Sequence, residues 1–140
     1  MSPIVRQRAR LARVRKVQHN LAAVRVARAQ GEVTMLETSA DQLSRIRHGL
    51  GFEQGTALGA SLASLGELAM RLDAARDGIG RSIANARQIV AAHESSRIVA
   101  HRNQESAERL QERATAIEAR RAERRGVIAR RRPSTNGDVK

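Results

Sequence analysis

Apolar residues along this chain recur at three- and four-residue spacings and never alternate over a strand's length, which is the signature of helices packed along a narrow stripe. In the first third the stripe runs Val14, Val17, Leu21 and Val24, continues at Met35 or Leu36, and then takes Leu43, Ile46 and Leu50. The later positions are displaced by one residue, as expected of a straight helix drifting against a strict heptad. A second stripe is regular from Leu58 through Leu62, Leu65, Ala69, Leu72, Arg76, Ile79, Ile83, Ala86 and Val90. It weakens, then resumes at Ala107, Leu110, Ala114 and Ile117.

Punctuation fixes the expected elements. Ser2-Pro3 reads as an N-cap followed by proline in the first turn. Arg45-Ile46-Arg47-His48-Gly49 reads as a stop, with positive side chains at the helix C-terminus and glycine just beyond. The expected elements are a helix over 3–48, a loop over 49–55, a second helix over 56–132 capped by Thr56 or by a box at Ser64–Glu67, and a disordered tail over 133–140. Gly78 and Gly80 leave a kink or break in the second helix open. Pro3 and Pro133 are the two prolines, so nothing between them removes a helical N–H.

A short loop between two long helices makes them antiparallel neighbours. The fold class is therefore all-α, an antiparallel coiled-coil hairpin whose helices span roughly 70 Å and roughly 115 Å at the helical rise. Pairing outward from a loop at 49–55 sets Ala12 near Ala92 and Pro3 near position 102, and leaves about the last 30 helical residues uncovered. Pairs one turn apart (Asp41–Arg45, Glu67–Arg71, Asp77–Arg81 and Glu105–Arg109) support the exposed faces weakly.

Composition narrows the function. The chain has one phenylalanine, no tryptophan, no tyrosine and no cysteine in 140 residues. A thick aromatic core, disulfides and cysteine metal sites are thereby excluded. No apolar run reaches the length of a membrane span, and no signal-peptide core stands near the start, so the cytoplasm is the expected compartment. His19, His48, His93 and His101 lack helical metal spacing, and His48 reads as a charge partner for a helix C-terminus. Gly78-Ile79-Gly80 lacks the strand and the Lys-Thr/Ser of a phosphate loop. A two-helix rod offers no cleft to gather serine, histidine and aspartate. No enzyme activity and no cofactor are expected.

Charge is the most informative feature. Net charge is +12, carried by 24 arginines and two lysines against 14 acids. Residues 1–30 hold eight basic and no acidic side chains, residues 31–110 nine and ten, and residues 111–140 nine and four. A hairpin brings the two basic ends of the sequence together. Arg120–Arg124 and Arg121–Arg125 are like-charge pairs one turn apart, whose repulsion an acidic partner would relieve. Phosphate binding by a nucleic-acid- or ribosome-associated protein is the alternative, although stacking aromatics are missing. A membrane-surface helix over 1–30 and a structural coiled coil with an unknown partner also remain open.

Two segments carry a family resemblance. Leu11-Ala12-Arg13-Val14-Arg15-Lys16-Val17, with Ala22-Ala23 and Ala27 following, resembles the start of FliJ-type flagellar export proteins. Glu105 to Ala114, through Leu110-Gln111-Glu112-Arg113, is similar to the "LxER" stretch of that family's second helix. The resemblance implies a stalk-like, non-enzymatic component of the type III export apparatus at the cytoplasmic face of the flagellar base. Its implied partners are the export ATPase, the export gate and the export chaperones. Contacts at the ATPase end would then fall on Arg13, Arg15, Lys16, Arg113, Arg120, Arg121, Arg124 and Arg125. Contacts at the loop end would fall on Leu43, Ile46, Leu50 and Phe52.

Overall fold

The computed structural model describes residues 2–54 and 59–132, with the side chains at 52–54 and 60 outside that set. All described residues except Ser2 and Arg132 lie in two α-helices, α1 (Pro3–Gln54) and the longer α2 (Gly59–Arg131), which pack against each other. The all-α two-helix expectation holds. Ser2 opens α1 as its spacing suggests: its Oγ accepts from the Val5 amide at 3.3 Å and its carbonyl from the Arg6 amide at 3.1 Å. The Val5 bond satisfies one of the donors a helix start leaves open, and the Arg6 bond is the first of the helical ladder. Arg130 and Arg131 occupy the last turn of α2, complementing its dipole.

The expected loop at 49–55 is a correction. Gly49 and Gly51 are helical, and no described glycine has positive φ. Two helical glycines cost about 1 kcal/mol each. Leu50 between them is 8% exposed, and burying a leucine stabilises by about 2 kcal/mol. That burial offsets the glycine cost, α1 continues through the expected stop, and His48 lies inside α1 instead of at its end. The box at Ser64–Glu67 lies within α2, which runs without interruption through Gly78 and Gly80. Gly55, Thr56, Leu58 and the 133–140 tail lie outside the described residues.

Contacts divide the chain into two units, one of residues 1–20 with 98–140 and one of residues 21–97. In the second unit the buried or half-buried face of α1 is Ala22, Val26, Ala29, Val33, Leu36, Ala40, Leu43, Arg47 and Leu50, spaced as an unbroken a/d heptad. On α2 it is Leu65, Ala69, Leu72, Ile79, Ile83, Ala86, Val90, His93 and Arg97. Salt bridges flank this seam: Arg47 Nε lies 3.1 Å from Asp73 Oδ1, and Arg87 lies 2.9 Å from Glu37. Glu67–Arg71 closes at 2.9 Å, as its spacing suggests. Arg97 also binds Glu94 three residues back, through Nε at 3.0 Å and through a second nitrogen.

In the first unit the covered face is thinner. Val5, Arg8, Ala12, Arg15 and His19 continue the same heptad phase on α1, and Ala100, Gln104, Ala107, Gln111, Ala114 and Glu118 do so on α2. Among these, Val5, Ala12 and Ala107 are buried and the rest half-buried.

Two sequence expectations fail in phase. The Val14–Val17–Leu21–Val24 stripe is exposed, at 52%, 57%, 53% and 48%. Met35 and Ile46 are exposed as well, and Leu36, Leu43 and Leu50 are the ones turned inward. A helix whose covered positions keep a strict seven-residue repeat is under-wound to 3.5 residues per turn, so its seam does not drift. The large residues Leu36, Leu43 and Leu50 set the phase, and small or polar residues upstream follow it. On α2, Leu110 and Ile117 likewise leave the seam, whereas Ala107 and Ala114 stay in it.

Candidate partner-binding site

The site is built within the first unit. Two contacts fix how its helix segments run. The Ser2 amide donates to Glu118 Oε1 at 2.8 Å, and the rings of His19 and His101 lie 5.1 Å apart. Seventeen residues forward on α1 match seventeen residues back on α2, so the segments are antiparallel and in step. Pro3 therefore sits near Glu118, not near position 102. The pairing is shifted by about sixteen residues along α2, from position 102 to Glu118. The uncovered end of α2 shrinks accordingly, from about 30 residues to 119–131.

Beside the seam, and sharing Ala114 with it, α2 carries a second stripe at Leu110, Ala114, Ile117, Arg121, Arg124 and Ile128, at the same four-and-three spacing. Together with Ser2, Ile4 and Arg8 of the chain start, most of it walls an open groove of about 750 Å³. The floor is apolar: Ile4, Leu110, Ala114 and Ile117. The walls hold five arginines (Arg8, Arg113, Arg121, Arg124 and Arg125) against one acid, Glu118. Glu118 already accepts the Ser2 amide. Guanidinium groups stay charged at any physiological pH and present planar forks suited to carboxylates or phosphates. A groove with an apolar floor and cationic walls selects a ligand that is apolar on one face and anionic at its margins.

The basic ends of the sequence thus do meet, and they meet through Arg8 on α1, not through the residues expected there. Arg13 and Lys16 are exposed outside the groove. Arg15 is half-buried on the seam face, where it donates to Gln18 Oε1 at 3.1 Å. Of the five arginines expected on α2, Arg113, Arg121, Arg124 and Arg125 line the groove, whereas Arg120 is exposed and does not. At the other end of α1, Leu43 and Leu50 are committed to the seam of the second unit, so they offer a partner little surface. Ile46 is 53% exposed, and the side chain of Phe52 lies outside the described set. Running the Leu36–Leu43–Leu50 heptad backward to Val5 would have identified Arg8; the larger Val14–Val24 stripe hides that phase.

A polar layer sits farther along the seam of this unit, and sequence reasoning passed over it. His19 Nε2 and Gln104 Oε1 are buried without a protein hydrogen-bond partner. His101 Nε2 lies 3.3 Å from Glu105 Oε1. A polar residue at one core position of a coiled coil costs stability and specifies register. Among the described residues no group of three or more histidine, cysteine, aspartate or glutamate side chains is placed to hold a metal ion. No helix of the described chain is long and apolar enough to cross a membrane. No protein-family model, curated protein or solved structure matches the chain.

Proposed function

We propose that the chain is a non-enzymatic docking protein whose arginine-walled groove receives an acidic partner protein. The observation that carries this reading is the assembly of Arg8 with Arg113, Arg121, Arg124 and Arg125 around an apolar floor. Like charges gathered this closely repel one another, and a carboxylate-bearing ligand removes that cost. Association steered by such a surface is fast and salt-sensitive.

The FliJ-type resemblance of the 11–17 and 105–114 segments supports a finer assignment. In it the protein is a stalk-like component of the flagellar type III export apparatus, located at the cytoplasmic face of the flagellar base. It binds the export ATPase through the groove, contacts the export gate, and assists the cycling of export chaperones. No cofactor enters this role.

The test is binding of the purified export ATPase to the full chain and to an Arg121→Glu/Arg124→Glu/Arg125→Glu variant. The reading predicts a complex that the variant loses and that weakens as salt rises. A complex of equal affinity with the variant contradicts it. Nucleic acid is the competing ligand, since arginine forks also match phosphate. The apolar floor favours protein, because a phosphate backbone would leave Ile4, Leu110 and Ile117 uncovered. A gel shift with nonspecific duplex DNA separates the two.

A further inference from the structure

We infer that the groove of the first unit takes an amphipathic α-helix of about five turns, with a leucine-type stripe flanked by acidic residues, as a third strand beside α1 and α2. This rests on the docking reading above and names the chemistry of its partner.

The spacing of one row on α2, all of it but Ile128 lining the groove, argues for a helix. Leu110, Ala114, Ile117, Arg121, Arg124 and Ile128 follow one another at intervals of four, three, four, three and four. That pattern forms the holes into which the knobs of a neighbouring helix insert. In this row Leu110 is 37% exposed, Ile117 50% and Ile128 62%, and Ile4 of α1 is 59% exposed, so the row's large apolar side chains are not spent in the fold, while Ala114 is half-buried and Ala107 one turn back is 3% exposed. An extended peptide would find no sheet edge here to pair its backbone with. The row from Leu110 to Ile128 runs roughly 27 Å along the axis, which a helix of about 18 residues matches.

The covering of α2 points the same way. Ser2 stands against Glu118, so α1 begins there and residues 119–131 outrun it. Every residue from Arg121 to Arg131 is exposed, although Val127 and Ile128 are apolar.

Charge decides the flanks of the occupant. The walls carry five arginines and one glutamate. A second copy of this chain would bring a net charge of +12 to a cationic surface. A foreign helix with glutamate or aspartate beside its apolar stripe complements it. Each wall arginine can then form a charge-assisted bond at the dry margin of an apolar contact.

The experiment uses the full chain and two synthetic 20-residue peptides of one composition, glutamate, leucine and alanine only. In one the leucines fall on a heptad stripe; in the other they are scattered. Binding is followed by fluorescence anisotropy at physiological salt. The inference predicts saturable 1:1 binding of the striped peptide, at least tenfold tighter than the scattered one. It also predicts a tenfold or greater loss on Ile117→Glu and on Arg121→Glu/Arg124→Glu. Both variants alter exposed side chains, and circular dichroism should show unchanged helicity. Equal affinity of the two peptides, indifference to Ile117→Glu, or no binding of the striped peptide each overturns the inference. The functional reading fails separately. If the striped peptide binds as stated but the export ATPase does not, the flagellar assignment falls and the groove's chemistry stands. If the ATPase binds but neither Ile117→Glu nor excess striped peptide weakens it, the helix-in-groove inference falls and docking elsewhere stands.

Discussion

The two units share one heptad phase and fill it differently. In the unit of residues 21–97 the covered positions include Leu36, Leu43, Leu50, Leu65, Leu72, Ile79 and Ile83. In the unit of residues 1–20 and 98–140 they are mostly alanine, arginine, glutamine and histidine, while Ile4, Leu110 and Ile117 lie outside the seam beside the arginines. A seam of large aliphatics stabilises by apolar burial. A seam of small and polar residues contributes little of that, and leaves the larger apolar residues for something else to cover. The comparison assigns fold stability to the first kind of seam and recognition to the second.

Four measurements break or sharpen that contrast. The largest effect is expected from Leu50→Ala in the leucine-rich seam, which should destabilise by about 2–3 kcal/mol in urea unfolding followed by circular dichroism. A loss below about 0.5 kcal/mol would mean that this seam is not the stabilising one. In the polar seam the sign should reverse. His19→Leu removes a buried ring nitrogen that lacks a partner and should stabilise by about 1 kcal/mol, with some loss of register specificity. Val17→Ala should change stability by less than about 0.5 kcal/mol, because Val17 is 57% exposed; a larger loss would return the Val14–Val24 stripe to the seam. The smallest effect concerns Glu94. Its hydrogen bond to Arg97, helped by the guanidinium's charge and opposed by partial desolvation, holds the carboxyl below its ordinary value of 4.5. A depressed folded-state value means that the pair's contribution is present above the unfolded value and fades as pH falls through the folded one. The Glu94 side-chain carbon should therefore titrate at lower pH in the native protein than in Arg97→Gln by NMR.

Much of this arrangement is legible in the residues. The absence of proline between Pro3 and Pro133, the Ser2 cap, and the heptad from Leu65 to Val90 all follow from local rules, and the structure repeats them. What the residues conceal has a common cause: seam phase is decided over the whole helix. Val14, Val17, Leu21 and Val24 make the stronger local stripe, yet Leu36, Leu43 and Leu50 hold α1 in a phase that puts Ala12, Arg15 and His19 inside. Gly49 has the context of a helix stop, yet α1 continues through it to Gln54 with Leu50 buried in the seam. The meeting of the two basic ends is legible from the charge pattern once the helices are paired antiparallel. Its composition is not, because Arg8 and the floor of Ile4, Leu110 and Ile117 emerge only once phase and register are known.

The central claim is that the start of α1 lies beside residues 110–125, so that arginines from both ends of the sequence wall one groove. Nitroxide labels at Arg13→Cys and Glu108→Cys, diluted with unlabelled chain and read by double electron–electron resonance, test it most directly. Helix axes 8–10 Å apart, with the label arms added, predict a distance of about 15–25 Å. A distribution centred beyond about 30 Å, as a register displaced by some sixteen residues or about 24 Å along the axis would give, contradicts the shared groove.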